Sequence, residues 1–344
     1  MATVFAKALA FRHRWHLLCP PAMPPSVSKT PALANTPGKN PAPKGKTKPF
    51  KKLKRLLRYA LLRCTQKLLS ALPIRWASAL GAFLGRLASF LLFAEFKKAL
   101  ASLGTAFPEN TPGQNRRLGR ACFAHLGRMA CELACIAQID AHLETWVEWP
   151  PDAQQVLENA RSLGRGVIFV SGHVGNWELL ARRVAMAGIP SASIAKAATD
   201  AHTTRWIERF RAQGKLTTIW RESSSAPRQM LQTLRNNGVL GLLVDQDTRV
   251  QSVFVPFFGK LAKTPRAAAD LALRTQAPLV VGFCQRLPSG HYCLSMRCVP
   301  VPTQRDENAV LSLTAALNLE IENAIRQTPE QWVWMHQRWK TPPE

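Results

Sequence analysis

The sequence predicts an α/β fold, a mixed and largely parallel sheet flanked by helices, with an N-terminal basic leader and a membrane-associated helix ahead of it. Three observations carry that expectation. Between about residue 150 and residue 300, helical patterns alternate with short apolar runs rich in Val and Ile, as strands buried on both faces of a parallel sheet do. Glycines and polar turn residues separate the two patterns, as in GVIFVSG and RNNGVLGLLV. Before residue 100, a dense basic run adjoins a nearly uncharged apolar stretch.

Composition sets the outer limits. The chain has 344 residues, with 46 Lys and Arg against 21 Asp and Glu, for a formal net charge of +25. That length can bury a sizeable core. The charge favours anionic partners, whether nucleic acid, anionic lipid or an acidic carrier protein. No nucleic acid is expected, because the charge concentrates beside an apolar helix and no aromatic RNA-binding signature appears. The eight cysteines are scattered without C-x-x-C spacing, which reads as free thiols in a reducing compartment. Cys131 and Cys135 share a helical face, but two ligands do not make a zinc site.

Residues 1–49 form a leader rich in Pro, Ala, Lys and Thr, expected to be disordered. It makes a weak signal peptide, because Arg12, His13, Arg14 and His16 break up the apolar core before Leu17. A transit peptide, or a start codon set upstream of the functional one, explains the same composition.

Residues 50–100 read as a membrane-associated helical segment. The basic run KGKTKPFKKLKRLLR ends with Leu53, Leu56 and Leu57 at helical spacing, and Trp76 to Ala94 is apolar apart from Arg86, Ser78 and Ser89. Such a stretch just reaches across a bilayer, and a central arginine costs about 2.5–3.5 kcal/mol. Two readings stand: a marginal span, or a helix lying in one leaflet with its arginine at the headgroups. Gly81 and Gly85 either permit close helix packing or act as spacers. The basic run places the N-terminus on the cytoplasmic side.

Residues 101–344 form the third unit. ENTPGQNRR is expected as a leading turn and LGRACFAHLGRMACELACIAQ as an amphipathic helix, in which His125 has no partner pattern and reads as structural, as does His142 beyond it. Then come helix VLENARSLG, strand GVIFVSG, helix NWELLARRVAMAG, strand SASIAK, helix TTRWIERFRAQG, strand KLTTIW, helix APRQMLQTLRNNG and strand VLGLLVDQD. Helix TPRAAADLALRTQ, with Thr264 as N-cap and Pro265 at its first position, precedes strands APLVVGFCQR and HYCLSMRCV and a closing helix LSLTAALNLEIENAIRQ.

In such sheets ligands bind outside the carboxyl ends of the strands. His173 and Asp245 fall at two such ends. In IFVSGHVGNWELLARRVAMAG, His173 lies in the turn and Glu178 in the first turn of the helix, so the chain can fold the two side chains together. A carboxylate accepting the Nδ1 proton leaves Nε2 free to deprotonate an alcohol, and the nucleophile can then belong to the substrate. An oxyanion donor is also required, with the amides from Gly172 to Asn176 as candidates. Asp245 and Asp247 are either turn carboxylates or site residues able to hold an arginine or a sugar hydroxyl.

In order, SGHVGNWELLA, LLVDQD, FVPFFGKLAKTPRAAADLALR and PEQWVWMHQRWK resemble the acyltransferases that add secondary fatty acyl chains late in lipid A biosynthesis, over about residues 50–342. The resemblance implies His173 as base, supported by Glu178, with Asp245 facing the same crevice to hold an arginine or an acceptor hydroxyl, and an arginine from RFR: Arg209, with Arg211 as the alternative. It implies Asn176 and Asp247 near the substrate and Phe254, Phe257, Phe258 and Gly259 bordering an acyl or lipid groove, although a purely structural reading of that stretch stays open. The Trp-rich C-terminus reads as an interfacial belt or a packed terminal helix. Implied are no cofactor, an acyl carrier protein thioester or acyl-CoA as co-substrate, a lipid A precursor as acceptor, an anionic membrane as partner, and the cytoplasmic face of a bacterial inner membrane. Another glycolipid or a lysophospholipid is the alternative acceptor. Glycerophospholipid acyltransferases resemble the motif but typically carry aspartate where Glu178 stands. A non-catalytic lipid-binding protein is the reading from another class.

Overall fold

In the computed structural model, residues 60 and 63–343 are described. The leader and the basic run from Lys44 to Arg58 lie outside them. Residues 63–70 are helical, followed by α1 (Ile74–Leu91), α2 (Phe93–Ala106) and α3 (Pro112–Ala134). The apolar stretch expected as one helix is broken. Leu92 leaves helical geometry with φ −97° and ψ 57°, and α1 and α2 meet at 92°. Among the described residues no single helix is long and apolar enough to cross a membrane; the bent pair taken together meets only the length and composition for it.

The two faces of α1 are inverted relative to an ordinary surface helix. Ala77, Ser78, Gly81, Ala82, Gly85 and Ser89 are buried, whereas Trp76, Phe83 and Phe90 are 72%, 62% and 61% exposed. The small face packs on α3: a Cβ at Gly81 would lie 2.4 Å from the Gly127 carbonyl oxygen, and one at Gly85 would lie 2.1 Å from that of Phe123. Glycine is therefore what lets the two backbones touch. α3 starts inside the stretch expected as a turn, because Thr111 and Gln114 form a capping box and Pro112 occupies the first turn.

Short helices α4 (Ile136–Asp140) and α5 (Leu143–Trp146) lead to β1 (Val147–Glu148) and α6 (Pro151–Ser162). The alternation then follows the sequence pattern: β2 (Val167–Ser171), α7 (Trp177–Met186), β3 (Ser191–Ala195), α8 (Ala201–Gln213), β4 (Leu216–Trp220), α9 (Ala226–Arg235) and β5 (Val239–Leu243). A hairpin of β6 (Ser252–Phe257) and β7 (Lys260–Pro265) precedes α10 (Ala267–Thr275), β8 (Leu279–Arg286), β9 (Tyr292–Val299) and α11 (Glu307–Gln327). The main sheet has seven strands in the order β1-β9-β8-β2-β5-β3-β4, and every neighbouring pair is parallel except β8–β9. β2 is buried at all five positions because helices cover both faces of the sheet. α6, α7 and Phe210 of α8 pack on one face, and α9, α10 and α11 on the other.

Two expected boundaries shift. Thr264 and Pro265 end strand β7 rather than starting a helix; α10 begins at Ala267 after Arg266. Thr264 is buried and its hydroxyl accepts from Arg338 at 2.6 Å and Asn318 at 3.1 Å. The Trp-rich C-terminus is neither an interfacial belt nor a helix. Pro329–Gln331 makes one 3-10 turn, and Trp332 and Trp334 are fully buried against Phe257, Phe258 and Phe107.

Candidate active site

β2 and β5 are central neighbours in parallel register, with Ser171 opposite Leu243. The chain segments leaving their carboxyl ends therefore emerge side by side. The first holds His173 and the second Asp245, and the two meet. His173 Nδ1 lies 2.8 Å from Asp245 Oδ1, and the His173 backbone N–H donates to Oδ2 at 2.6 Å. Trp332 Nε1–H donates to the same Oδ2 at 2.8 Å.

The turn that presents His173 is pinned from two sides. Gly175 has φ +63°, and a Cβ there would lie 2.0 Å from the Cys284 carbonyl oxygen. The Gly175 amide donates to Gln331 O and the Asn176 amide to Cys284 O. On the far side, His125 Nε2 sits 3.3 Å from Gly175 O. Burial pushes the His125 imidazole down to about 4, so it is a neutral structural histidine, as its sequence context suggests.

Burial alone would raise the Asp245 carboxyl. The charge of His173 and the hydrogen bonds from His173 and Trp332 outweigh it and hold the carboxyl well below the usual carboxylate range. An ionised acceptor at Nδ1 fixes that nitrogen as the donor and leaves Nε2 with a lone pair. The Gln246 amide nitrogen lies 3.1 Å from Nε2 and 3.2 Å from Nδ1. Near-equal distances to both nitrogens place it over the ring rather than along the Nε2 lone pair. The same amide nitrogen is 2.6 Å from Nε2 of His336, whose imidazole is lowered by burial and then by the His173 charge. Trp177 meets the His173 ring edge-on, with centroids 4.8 Å apart.

The sequence pairing of His173 with Glu178 is thus corrected. Glu178 is held by Arg211 instead, with Nη2 2.5 Å from Oε1 and Nε 3.0 Å from Oε2. The two-sided bond is the planar match between guanidinium and carboxylate. Asp245 is engaged by His173 and Trp332 rather than by an arginine, with three donors reaching its two oxygens. Within RFR, Arg209 is exposed while Arg211 of the same helix turns inward to Glu178.

Glu178, Arg211 and Trp177 also line a narrow apolar cavity between α7 and the sheet. It runs from Ser171, Ile194 and Leu243 at the strands' carboxyl ends to Val239 at the start of β5, about 13 Å at the rise of a β-strand.

Six other expected site residues serve the fold. Asn176 is fully buried and its side-chain oxygen caps α7 by accepting from the Leu179 amide. Asp247 binds the C-terminal segment, its carbonyl accepting from Lys340 Nζ at 2.9 Å and its carboxylate from the Thr341 amide at 3.1 Å. Phe257 and Phe258 are buried in the aromatic core rather than bordering a groove. Gly259 is an exposed turn residue: Phe258 and Gly259, at φ +51° and +72°, make the tight β6–β7 turn. Phe254 is half-buried in that hairpin.

Sequence reasoning did not single out Gln246 as a site residue or assign His336 and Trp332 to the catalytic turn. Each lies inside a quoted motif; the β2–β5 pairing brings Gln246 to His173, and the packing of the C-terminal segment brings Trp332 to Asp245 and His336 to Gln246.

Comparison with known proteins identifies the family. A family model described as bacterial lipid A biosynthesis acyltransferase matches residues 47–341. The chain is 27% identical over 281 residues to the lipid A biosynthesis lauroyltransferase of Escherichia coli (strain K12), covering 79% of this chain and 88% of that protein. It is 25% identical over 280 residues to the lipid A biosynthesis palmitoleoyltransferase of the same organism, covering 79% and 87%. It is 24% identical over 185 residues to the phosphatidylinositol mannoside acyltransferase of Mycolicibacterium smegmatis (strain ATCC 700084 / mc(2)155), covering 53% and 60%. With a family match across most of its length, and with a carboxylate-backed histidine at the carboxyl ends of its central strands, the chain belongs to the bacterial lipid A biosynthesis acyltransferases and is an acyltransferase.

Proposed function

We propose that the protein transfers a fatty acyl chain from an acyl carrier protein thioester to a hydroxyl of a lipid A precursor, at the cytoplasmic face of a bacterial inner membrane. The observation that carries the chemistry is the Asp245–His173 pair, in which the carboxylate at Nδ1 leaves Nε2 as the basic nitrogen. The acceptor O–H gives its proton to Nε2 as the oxygen attacks the thioester carbonyl. Asp245 balances the imidazolium that forms. The tetrahedral intermediate then collapses with loss of the C–S bond, and the imidazolium returns the proton to the departing thiolate.

The acyl chain lies in the cavity beneath α7, whose walls include Leu180, Val184, Ala192 and Leu242. The Glu178–Arg211 pair lines that cavity, and its guanidinium is a charged donor for the developing oxyanion. The amides of His173, Gly175 and Asn176 are already engaged within the fold, which leaves those of Gly172 and Val174 as the backbone candidates for the oxyanion. A net charge of +25 suits an acidic carrier protein and an anionic leaflet. The outward apolar stripe of α1 is the surface that enters that leaflet.

The test is transfer from acyl carrier protein thioester to lipid A precursor, followed by mass spectrometry of the glycolipid. The wild-type protein adds one acyl mass. His173→Ala stops transfer with folding intact, and Asp245→Asn lowers kcat by about 10³–10⁴-fold, as loss of the orienting carboxylate does in related base pairs. Near-normal turnover in the His173→Ala protein overturns the mechanism. Transfer only to a lysophospholipid overturns the acceptor.

A further inference from the structure

We propose that the protein carries a binding pocket for the phosphate headgroup of an anionic membrane lipid, formed by Arg86 of α1 with Arg116, Arg117 and Arg120 of α3. The four arginines line one surface depression together with Phe90, Gly113 and Ala121. All four arginines are exposed. Among the described residues none of them forms a salt bridge with a carboxylate, although eleven other ion pairs, most of them using arginine, are present. Four like charges gathered without a counter-charge repel one another in water, so the arrangement is favoured when an anion joins it.

The surroundings identify the anion. Arg86 and Phe90 are one helical turn apart on α1, and the guanidinium of Arg120 sits over the Phe90 ring, 4.7 Å from its centroid. Phe90 belongs to the outward stripe of Trp76, Leu80, Phe83 and Leu87. At about 100° per residue, Arg86 falls on the flank of that stripe next to α3. The pocket is therefore half apolar ridge and half guanidinium, side by side. A lipid presents the same two chemistries at the same boundary, with a phosphate above and acyl chains below. Guanidinium forks bind phosphate oxygens in pairs, which a point-like ammonium cannot do.

The pocket is separate from the catalytic centre. On α3, Arg116, Arg117 and Arg120 lie on one face, while Cys122, His125 and Met129 lie on the opposite, buried face. That buried face is the one that touches the catalytic turn, through Cys122 Sγ to Trp332 O at 3.0 Å and His125 Nε2 to Gly175 O at 3.3 Å. The helix stands between the two sites. The ligand of the arginine pocket is thus a lipid of the supporting leaflet, which sets how α1 sits in the membrane, and not the acyl acceptor. The inference rests on the reading that the α1 stripe enters the membrane.

The experiment floats the full-length protein on vesicles of phosphatidylcholine alone or with phosphatidylglycerol. Three variants are compared with wild type: all four arginines changed to glutamine, all four changed to lysine, and Phe83→Ser with Leu87→Ser. The glutamine variant is expected to lose about tenfold or more of its affinity for the phosphatidylglycerol vesicles while floating normally on phosphatidylcholine. The lysine variant keeps the net charge, so it retains the diffuse attraction but binds severalfold more weakly than wild type. A lysine variant indistinguishable from wild type overturns the pocket and leaves only general electrostatics. Release of the wild-type protein from the vesicles by millimolar inorganic phosphate at constant ionic strength overturns a lipid in favour of free phosphate. The stripe variant loses both kinds of vesicle if α1 enters the membrane; if it does not, the underlying membrane reading is the one that fails.

Discussion

In the proposed mechanism the His173 imidazole is held in one tautomer by Asp245, whose carboxylate also accepts from the His173 amide and from Trp332. That leaves Glu178 to a different task, and its bidentate bond to Arg211 makes the two side chains one unit. Removing either partner leaves a mostly buried charge uncompensated. Glu178→Ala and Arg211→Ala should therefore each lower kcat/KM severely, and the double variant should be little worse than either single one, giving a coupling energy of about 0.5–3 kcal/mol in a double-mutant cycle. Additive losses would show that the two residues act independently. His125 gives a second residue-scale expectation, with the sign set by its lowered pKa. Between about 4 and the ordinary 6.5 the unfolded chain binds a proton that the folded protein does not. Stability is then complete above about pH 6.5 and falls toward pH 4, by at most about 3 kcal/mol. Asp245, shifted down, keeps its contribution until the pH drops below the ordinary carboxylate range, so its loss comes at lower pH. Urea unfolding at pH 7 and pH 5 should show the loss in wild type and a smaller one in His125→Gln. Equal losses in both would place the acid sensitivity elsewhere.

Among the elements, the strands of the sheet were legible because each is a short β-branched run ended by turn residues, and β2 through β5 fall within a residue or a few of where the pattern puts them. His173 and Asp245 could be placed at strand ends for the same reason. Their contact could not, because β2 and β5 lie side by side only after the chain crosses out to β3 and β4 and returns. Glu178 looked like the partner since local spacing favours it; the sheet supplied a nearer one from 72 residues away. The hairpin that buries Phe257 and Phe258 was likewise hidden, as a β6–β7 turn built on two residues with positive φ is not signalled by a Phe-Gly pair. Helix α1 inverts the usual rule, and that inversion can be measured. Gly85→Val places atoms where the Phe123 backbone lies and should cost about 1–3 kcal/mol as overpacking, whereas Phe83→Ser on the outer stripe should leave the melting temperature in detergent unchanged. If the two effects are reversed, the stripe is a core face and its exposure here has been covered by something other than lipid.

Across the whole molecule, α1 is tied into the body by polar as well as apolar contacts. Ser78 donates to Glu132 at 2.7 Å, Tyr292 donates to the other oxygen of Glu132 at 2.6 Å, and Arg286 pairs with Glu132 and reaches Ser78 at 3.2 Å. Glu132 is fully buried, so α1, α3, β8 and β9 share one charged network that depends on every member being present. The segment that looks like a membrane anchor is therefore also part of the folded domain. The family match begins at residue 47, ahead of α1, and not after it. Removing residues 1–46 should accordingly leave transfer activity and membrane sedimentation nearly unchanged. Removing residues 1–91 should do more than release the protein from membranes: it takes away the Ser78 hydroxyl, uncovers the small face of α3 around Gly127, and leaves the Glu132–Arg286 pair open to water. The expected product is an insoluble or non-cooperatively unfolding chain, checked by gel filtration and thermal melts in the detergent that keeps the longer protein monodisperse. A soluble, cooperatively folded and active fragment from residue 92 onward would make α1 a detachable anchor, and the network around Glu132 would then be incidental to the fold.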